Sequence, residues 1–167
     1  MKKVIFPIIA ILLLLSNYSI AQFKITTPVD YSKQNSKETG VIYAAQKINN
    51  GTVISSFKVK INDDWSFKNM TNAQYIEGSK KSSELDDYGE NFLNEFRILI
   101  KKEFYFKSVG DTYMVQYKFY ENGDNIVNTT IQFIKNNKLY TCIGSTVASL
   151  NRQSFNEYLK MVESIQL

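Results

Sequence analysis

The sequence predicts an α+β domain in which a central antiparallel β-sheet is flanked by helices, with a cleaved N-terminal signal peptide. Three observations lead to this fold class. Apolar and polar residues alternate along several segments that are separated by Asn- and Gly-rich turns. An apolar stripe with helical spacing closes the chain. A short basic and apolar leader begins it, and about 146 residues remain for a single domain.

Residues 1–21 have the three parts of a secretory signal peptide. Lys2-Lys3 is a positive start, an apolar run of about a dozen residues follows, and Ser19-Ile20-Ala21 places small residues at the cleavage site. The run is shorter than the roughly 20 residues that cross a bilayer. We therefore predict cleavage before Gln22 and no stable membrane span. No Cys stands at the cleavage site for lipid attachment, so residues 22–167 are predicted to be released to the periplasm or the cell exterior.

Composition excludes the commonest catalytic and metal chemistries. The chain has no His, which removes Ser-His-Asp and Cys-His nucleophiles together with His-based metal sites. Its single Cys, Cys142, excludes an intramolecular disulfide and a thiolate zinc cluster. No phosphate loop, dinucleotide fingerprint or nucleophile elbow occurs. We expect no catalytic residue, no cofactor and no metal, and a net charge of about +2 without the leader gives no reason to expect a nucleic-acid partner.

The first half of the domain is predicted to begin with strand and hairpin. Residues 22–27 fit a short strand that ends at Pro28, and residues 31–40 are polar enough for a loop. Residues 41–48 and 53–61 flank Asn49-Asn50-Gly51, a turn sequence typical of a hairpin. In the second of these strands, apolar and polar side chains alternate, so one face is buried and one is wet. The apolar face has Val53, Phe57, Val59 and Ile61, and the polar face has Ser56, Lys58 and Lys60.

Two helices are predicted next. Thr71 to Gln74 has capping-box spacing, which indicates a helix from there to about Lys81. Apolar residues at three- and four-residue steps from Leu85 to Leu99 favour a second helix that continues to about Lys102. Residues 98–100 also fit a strand.

The last third is predicted to be an antiparallel meander closed by a helix. Strands are expected at residues 104–108, 113–121, 126–134 and 139–147, with turns between them. Cys142 is expected to be buried in the last strand. Ser154 to Glu157 has capping-box spacing and begins a helix whose stripe must pack on the sheet. The stripe consists of Phe155, Tyr158, Leu159, Val162 and Ile165.

The order of these elements resembles the PsbP-like family, which includes the extrinsic photosystem II protein and its non-photosynthetic bacterial relatives. Residues 23–28 resemble its apolar strand ending in Pro, and residues 71–76 resemble its short helix after the first hairpin. Val109-Gly110-Asp111-Thr112-Tyr113 resembles a Val-Asp-Gly-X-X-Tyr hairpin, and Leu139-Tyr140 before the closing helix completes the match. The resemblance implies an α/β/α sandwich, export, and an accessory or binding role. It carries no site residue over.

Two acidic clusters suggest sites, and both have a structural explanation. Asp63-Asp64 before Trp65 offers two carboxylates and an aromatic platform, as a glycan hydrolase requires. A polar loop in which Trp65 covers an edge of the core explains the same residues. A second cluster, at the start of the second predicted helix, supplies oxygen ligands for Ca²⁺ but lacks the spacing of a calcium loop, and the helix dipole explains it. Its members are Glu84, Asp86, Asp87 and Glu90.

The candidate binding surface is the polar side of the sheet, where Lys and Tyr side chains meet if the strands pair in sequence order. Such a surface suits an anionic glycan, a peptide or a protein, and is also ordinary for a solvated sheet face. Its residues are Lys58, Lys60, Tyr105, Lys107, Lys118 and Tyr120.

The predicted function is that of an exported, non-catalytic accessory or ligand-binding protein of the bacterial envelope. Its expected partner is an envelope protein or a glycan. Two alternatives remain open: an inhibitor or immunity-type protein against an envelope enzyme, and a carboxylate-dependent glycan hydrolase.

Overall fold

The structure, a computed structural model, describes residues 23–86 and 97–167, without the side chains of residues 83–86. The predicted signal peptide and most of the predicted helix after Leu85 lie outside these residues. The strands are β1 (Ser32–Lys33), β2 (Val41–Asn49), β3 (Thr52–Asn62), β4 (Arg97–Phe106), β5 (Gly110–Glu121), β6 (Asp124–Lys135) and β7 (Lys138–Val147). The helices are α1 (Asn72–Asp86) and α2 (Asn151–Glu163), and short 3₁₀ turns occur at Trp65–Phe67 and Ala148–Leu150.

In the part of the chain that the structure describes, the strands form one antiparallel sheet in the order β1-β2-β3-β7-β6-β5-β4. The predicted hairpin and the predicted meander are confirmed. They join because β3 pairs with β7, the last strand, so the strands do not follow sequence order. The predicted α+β class, a central antiparallel sheet flanked by helices, is confirmed.

The predicted turns have the backbone geometry that their residues favour. Asn50 has φ 49° and Gly51 has φ 79° between β2 and β3. Asn136 and Asn137 have φ 51° and 60° between β6 and β7. Asn and Gly tolerate this left-handed region better than other residues, so the turns fix the hairpin registers locally.

The two helices cover opposite faces of the sheet. We call the face beneath α2 the inner face; it holds the main core, where Phe57, Val59, Phe133 and Tyr158 are almost completely buried. On the other side, the outer face, α1 covers one end of β5 and β6. Its Asn72 side chain accepts a hydrogen bond from the Ile134 amide at 2.8 Å. A groove lies at the other end of the outer face.

Helix α2 approaches the sheet closely at a single glycine. A Cβ on Gly144 would lie 2.3 Å from both Cδ2 and Cε2 of Tyr158. The Tyr158 ring also stacks on Phe57, with ring centroids 5.6 Å apart. The absence of a side chain at Gly144 therefore sets the distance between α2 and β7.

Several predicted boundaries are wrong. Residues 97–102 are strand in β4, not helix, because pairing with β5 satisfies their backbone groups. Residues 23–27 make only an isolated bridge, between Lys24 and Gln166, and β1 interrupts the predicted loop. Helix α2 begins at Asn151, three residues before the predicted cap, because Ser154 is buried and its hydroxyl bonds to Thr146 instead.

The predicted cap of α1 is confirmed. The Gln74 amide donates to Thr71 Oγ1 at 3.2 Å, and the Thr71 amide donates to Gln74 Oε1 at 2.8 Å. Neither helix of the described residues is long and apolar enough to cross a membrane.

Candidate binding groove on the outer face

The strand registers arrange the outer-face side chains in rows that run across the sheet. Val147 pairs with Ile126, and Ile126 pairs with Phe119, so one row is apolar. The next row is polar: Gln46 pairs with Ser56, Ser56 with Ser145, Ser145 with Asn128, and Asn128 with Tyr117. Side chains alternate between the two faces along each strand, so only every second residue of a strand points to the outer face. Each strand contributes one such residue to each row.

A groove of about 530 Å³ follows the polar row across the neighbouring strands β2, β3, β7, β6 and β5. Its volume is within the range of about 300–1,000 Å³ that is usual for small-molecule sites. The residues after β1 form one wall, and Phe119 and Glu121 at the end of β5 form the other. The lining is dominated by side-chain amides and hydroxyls: Gln34, Asn35, Ser36, Gln46, Ser56, Asn128 and Ser145.

Asn128 lines the groove, and its amide oxygen has no hydrogen-bond partner among the described residues. Its Nδ2 donates to the Tyr117 hydroxyl at 3.2 Å. Its Oδ1 is shielded from solvent and has no hydrogen-bond partner in the structure. Leaving a buried acceptor unsatisfied costs about 1–3 kcal/mol, so this oxygen adds no hydrogen-bond stabilisation among the described residues.

The positive charges beside the groove are partly neutralised. Lys58 and Lys60 both extend from the outer face of β3 to Glu38, with N···O distances of 2.7 and 2.6 Å. The Lys58 and Lys60 ammonium groups, by hydrogen bonding, lower the pKa of the Glu38 carboxyl to about 2. Glu38 is therefore charged at neutral pH. Lys58, the lysine in the groove lining, is paired with Glu38.

The structure brings together only two of the six residues of the predicted Lys and Tyr surface. Lys58 and Lys60 adjoin the groove, whereas Tyr105 is on the outer face of the edge strand β4, which is separated from β3 by three strands. Lys107 is in the turn after β4, where its amide donates to Glu163. Lys118 pairs with Val127, which faces the inner side, so Lys118 and Tyr120 point away from the groove. Whether any of the six binds a partner stays a prediction.

Sequence reasoning missed the amide and hydroxyl residues of the groove. Gln46, Asn128 and Ser145 each occupy the polar position in an alternating strand, and that was the available signal. Their alignment depends on β7 lying between β3 and β6, which no local pattern specifies.

The acidic pair Asp63-Asp64 before Trp65 has a structural role. Asp64 caps the 3₁₀ turn at Trp65–Phe67, since its Oδ1 accepts from the Ser66 amide at 3.0 Å. Trp65 is 79% exposed, so the expectation that it covers the core is wrong. The second cluster lies outside the described side chains. Among the side chains that are described, no group of three or more Asp, Glu or Cys residues is placed to hold a metal ion.

A buried polar network on the inner face holds α2 in place. The Ser55 hydroxyl lies 2.7 Å from the Tyr31 hydroxyl and 2.6 Å from the Tyr158 hydroxyl, and it can donate its one proton to either of them. Tyr158 also donates to the Ser145 carbonyl at 2.8 Å, and Tyr31 donates to Glu157 Oε2 at 3.0 Å. Burial raises the pKa of Tyr158 to about 12 and raises that of Tyr31 as well. Both phenols thus stay protonated at neutral pH and act as donors that anchor α2.

Comparison with known proteins gives similarity of fold alone. No protein-family model matches the chain, and no match was found among curated protein sequences. Among solved structures, LpqN, described as involved in cell envelope biogenesis of Mycobacterium tuberculosis, has a TM-score of 0.58 and 6% identity over 87% of this chain and 84% of that chain. A protein from Bacteroides thetaiotaomicron has a TM-score of 0.51 and 12% identity over 86% of this chain. The chain spans 44% of that protein's length.

Cyanobacterial PsbP from Synechocystis sp. PCC 6803 is also similar, with a TM-score of 0.49 and 13% identity over 89% of this chain and 94% of that chain. The PsbP-like resemblance implied a central antiparallel sheet with helices on both faces. The strand order and the helix positions have this arrangement.

Proposed function

We propose that this chain is an exported, non-catalytic accessory protein of the bacterial envelope that binds a partner in the outer-face groove. The groove is the observation that carries the proposal. It crosses five neighbouring strands, which hold its side chains in fixed positions, and it places amides and hydroxyls beside an apolar row. Sites of this kind combine apolar contact with a few oriented polar groups.

The groove suits an uncharged ligand rich in hydroxyl groups, such as a glycan strand. Amide and hydroxyl side chains both donate and accept hydrogen bonds, as sugar hydroxyls do. Phe119 provides an apolar wall for the carbon face of a sugar ring. Because Glu38 neutralises part of the charge of Lys58 and Lys60, the groove has little preference for an anion. This favours a neutral glycan over the anionic ligand that the lysines alone suggest.

The envelope location is supported by the leader and by one similar structure. Residues 1–21 have the order of a secretory signal. LpqN, which is described as acting in cell envelope biogenesis, has the same kind of fold. If the chain is exported as proposed, the intact mass of the protein recovered from the envelope fraction will correspond to a chain beginning at Gln22. A mass that retains Met1 would refute the export step.

The binding step is tested by filling the groove. Ser145→Tyr places a ring in the groove, whereas Ser66→Tyr makes the same change at an exposed serine in the 3₁₀ turn. We expect wild type and Ser66→Tyr to retain the same glycan or protein from an envelope extract, and Ser145→Tyr to retain much less. Equal retention by both variants, with equal thermal unfolding, would show that the groove is not the site.

Asn128 separates a functional from a structural explanation of the groove. Asn128→Leu removes the unsatisfied Oδ1, so its stability is expected to stay within about 1 kcal/mol of wild type. Partner retention is expected to fall, because the amide is lost from the groove. Strong destabilisation together with full retention would mean that Asn128 is structural.

The same extract distinguishes the two alternatives. Stoichiometric capture of an envelope hydrolase whose activity is lost on binding would favour an inhibitor. Release of sugar fragments from purified glycan, abolished by Asp63→Asn, would favour a hydrolase.

A further inference from the structure

A second cleft, which we call the terminal cleft, lies at the β1–β2 edge of the sheet. It has a volume of about 630 Å³ and lies between residues 23–26, the edge of β1 and β2, and the residues after α2. Backbone hydrogen bonds fix its walls: Lys24 and Gln166 exchange N–H···O bonds of 3.1 and 3.0 Å. The Thr26 amide donates to Ser164 Oγ at 2.9 Å. Both ends of the described chain are thus tied together to form the cleft.

The terminal cleft carries unbalanced positive charge. Lys24 and Lys33 line it, and no Asp or Glu does. Among residues 23–86 and 97–167, neither ammonium group has a carboxylate within 4.0 Å, whereas Lys58 beside the outer-face groove is paired with Glu38. The cleft therefore offers two cations that are not satisfied by the protein.

Apolar side chains stand beside these charges. Phe23 and Ile25 line the cleft and are half-buried against the core. Ile42, from β2, also lines the cleft and is 40% exposed. The Tyr43 ring is buried below, with its hydroxyl held by Thr27 at 2.8 Å. An apolar patch flanked by unpaired lysines matches a molecule that has both an apolar and an anionic part.

We propose that the terminal cleft binds an amphiphilic anion, an acyl chain with a carboxylate or phosphate head. Lys24 and Lys33 bind the head through charge-assisted hydrogen bonds. Ile42 and Phe23 contact the chain. Gln34 and Asn35 line both this cleft and the outer-face groove, so they form the wall between the two sites. The proposal is independent of the function proposed for the groove.

The experiment titrates decanoate into the purified protein by calorimetry. We expect saturable binding to wild type and binding about tenfold weaker in the Lys24→Gln/Lys33→Gln double variant, the loss expected when charged hydrogen bonds are removed. Lys135→Gln/Lys138→Gln, at the exposed β6–β7 turn, is the matched control for lost charge and should bind as wild type does. Equal weakening in both double variants would overturn the proposal, because it would reveal a general effect of net charge.

Additional titrations test the apolar chain and the anionic head of the ligand separately, and a vesicle experiment tests the source of the ligand. Acetate and decanol should both bind far more weakly than decanoate, and Ile42→Gln should weaken decanoate but leave thermal unfolding unchanged. Equal affinity for acetate would exclude a role for the apolar patch, and equal affinity for decanol would exclude a role for the lysines. Vesicles of phosphatidylglycerol that bind the protein while decanoate does not would indicate a membrane surface contact and overturn the single-molecule site.

Discussion

Gly144 lies in β7 directly beneath the Tyr158 ring, and replacing it by alanine tests how α2 is docked. The added methyl group would stand 2.3 Å from Cδ2 and Cε2 and 2.7 Å from Cζ of that ring, so one of the two must move. The ring has little room, because it is fully buried and stacks on Phe57. Its hydroxyl is held by Ser55 and by the Ser145 carbonyl.

The expected cost follows from these contacts. Overpacking a core typically costs about 1–3 kcal/mol, and displacing a buried hydroxyl from its partners costs about 1–3 kcal/mol more. Gly144→Ala should thus lower the free energy of unfolding by about 2–6 kcal/mol, a large part of the about 5–15 kcal/mol that stabilises an ordinary domain. Gly78→Ala is the matched control, since Gly78 lies in α1 with nothing within 4 Å of the added Cβ. It should stabilise the protein by up to about 1 kcal/mol.

Urea unfolding followed by circular dichroism measures both variants. A double-mutant cycle with Tyr158→Leu adds a specific test, because Gly144→Ala should cost much less once the ring is gone. Our account of the α2 contact would be refuted if Gly144→Ala unfolded at the wild-type urea concentration. It would also be refuted if the cost were the same in the Tyr158→Leu background.

Three further predictions follow from the described residues. Burial raises the pKa of the Cys142 thiol, so Cys142 should react with a thiol reagent slowly until denaturant is added; rapid labelling of the native protein would contradict its position in the core. Met161→Ala should reduce the free energy of unfolding by about 2–5 kcal/mol, because Met161 is 0% exposed. Lys160→Ala should reduce it little, because Lys160 faces solvent, and urea titrations of the two variants measure the difference. The pKa of Glu38 is lowered from its ordinary value of 4.5 to about 2, so its contribution to stability is present above pH 4.5 and is lost as the pH falls towards 2. The difference in urea midpoint between wild type and Glu38→Gln should therefore shrink over that interval, and a difference that is constant with pH would show that the lysine contacts do not stabilise the fold.

The candidate site was predictable only in part. Alternation along β3 correctly placed Lys58 and Lys60 on a polar face, because neighbouring side chains of a strand point to opposite sides. The same reasoning grouped them with Lys118, which lies on the inner face. Alternation does not specify which side of the sheet a distant strand presents, since that depends on the register of every strand between them.

Residues 97–102 and Ser154 show the same limit for local structure. Apolar spacing favoured helix for residues 97–102, but pairing with β5 makes them strand, because tertiary hydrogen bonds outweigh a weak local preference. Ser154 has cap spacing, yet it is inside α2, where its hydroxyl meets Thr146 across the helix–sheet contact.

The sequence by itself determined the elements whose geometry depends on neighbouring residues: the turns at Asn50-Gly51 and Asn136-Asn137, the Thr71 cap, and the alternation of the long strands. Backbone dihedral preferences and side-chain alternation act within a few residues, so they can be read directly from the chain. Only the tertiary structure decided that β3 lies beside β7, and with it the outer-face groove, the terminal cleft and the contact of Tyr158 with Gly144. These features join residues up to about 140 positions apart, such as Lys24 and Gln166. They depend on which surfaces bury each other most completely, and that is a property of the whole packed domain rather than of any local segment.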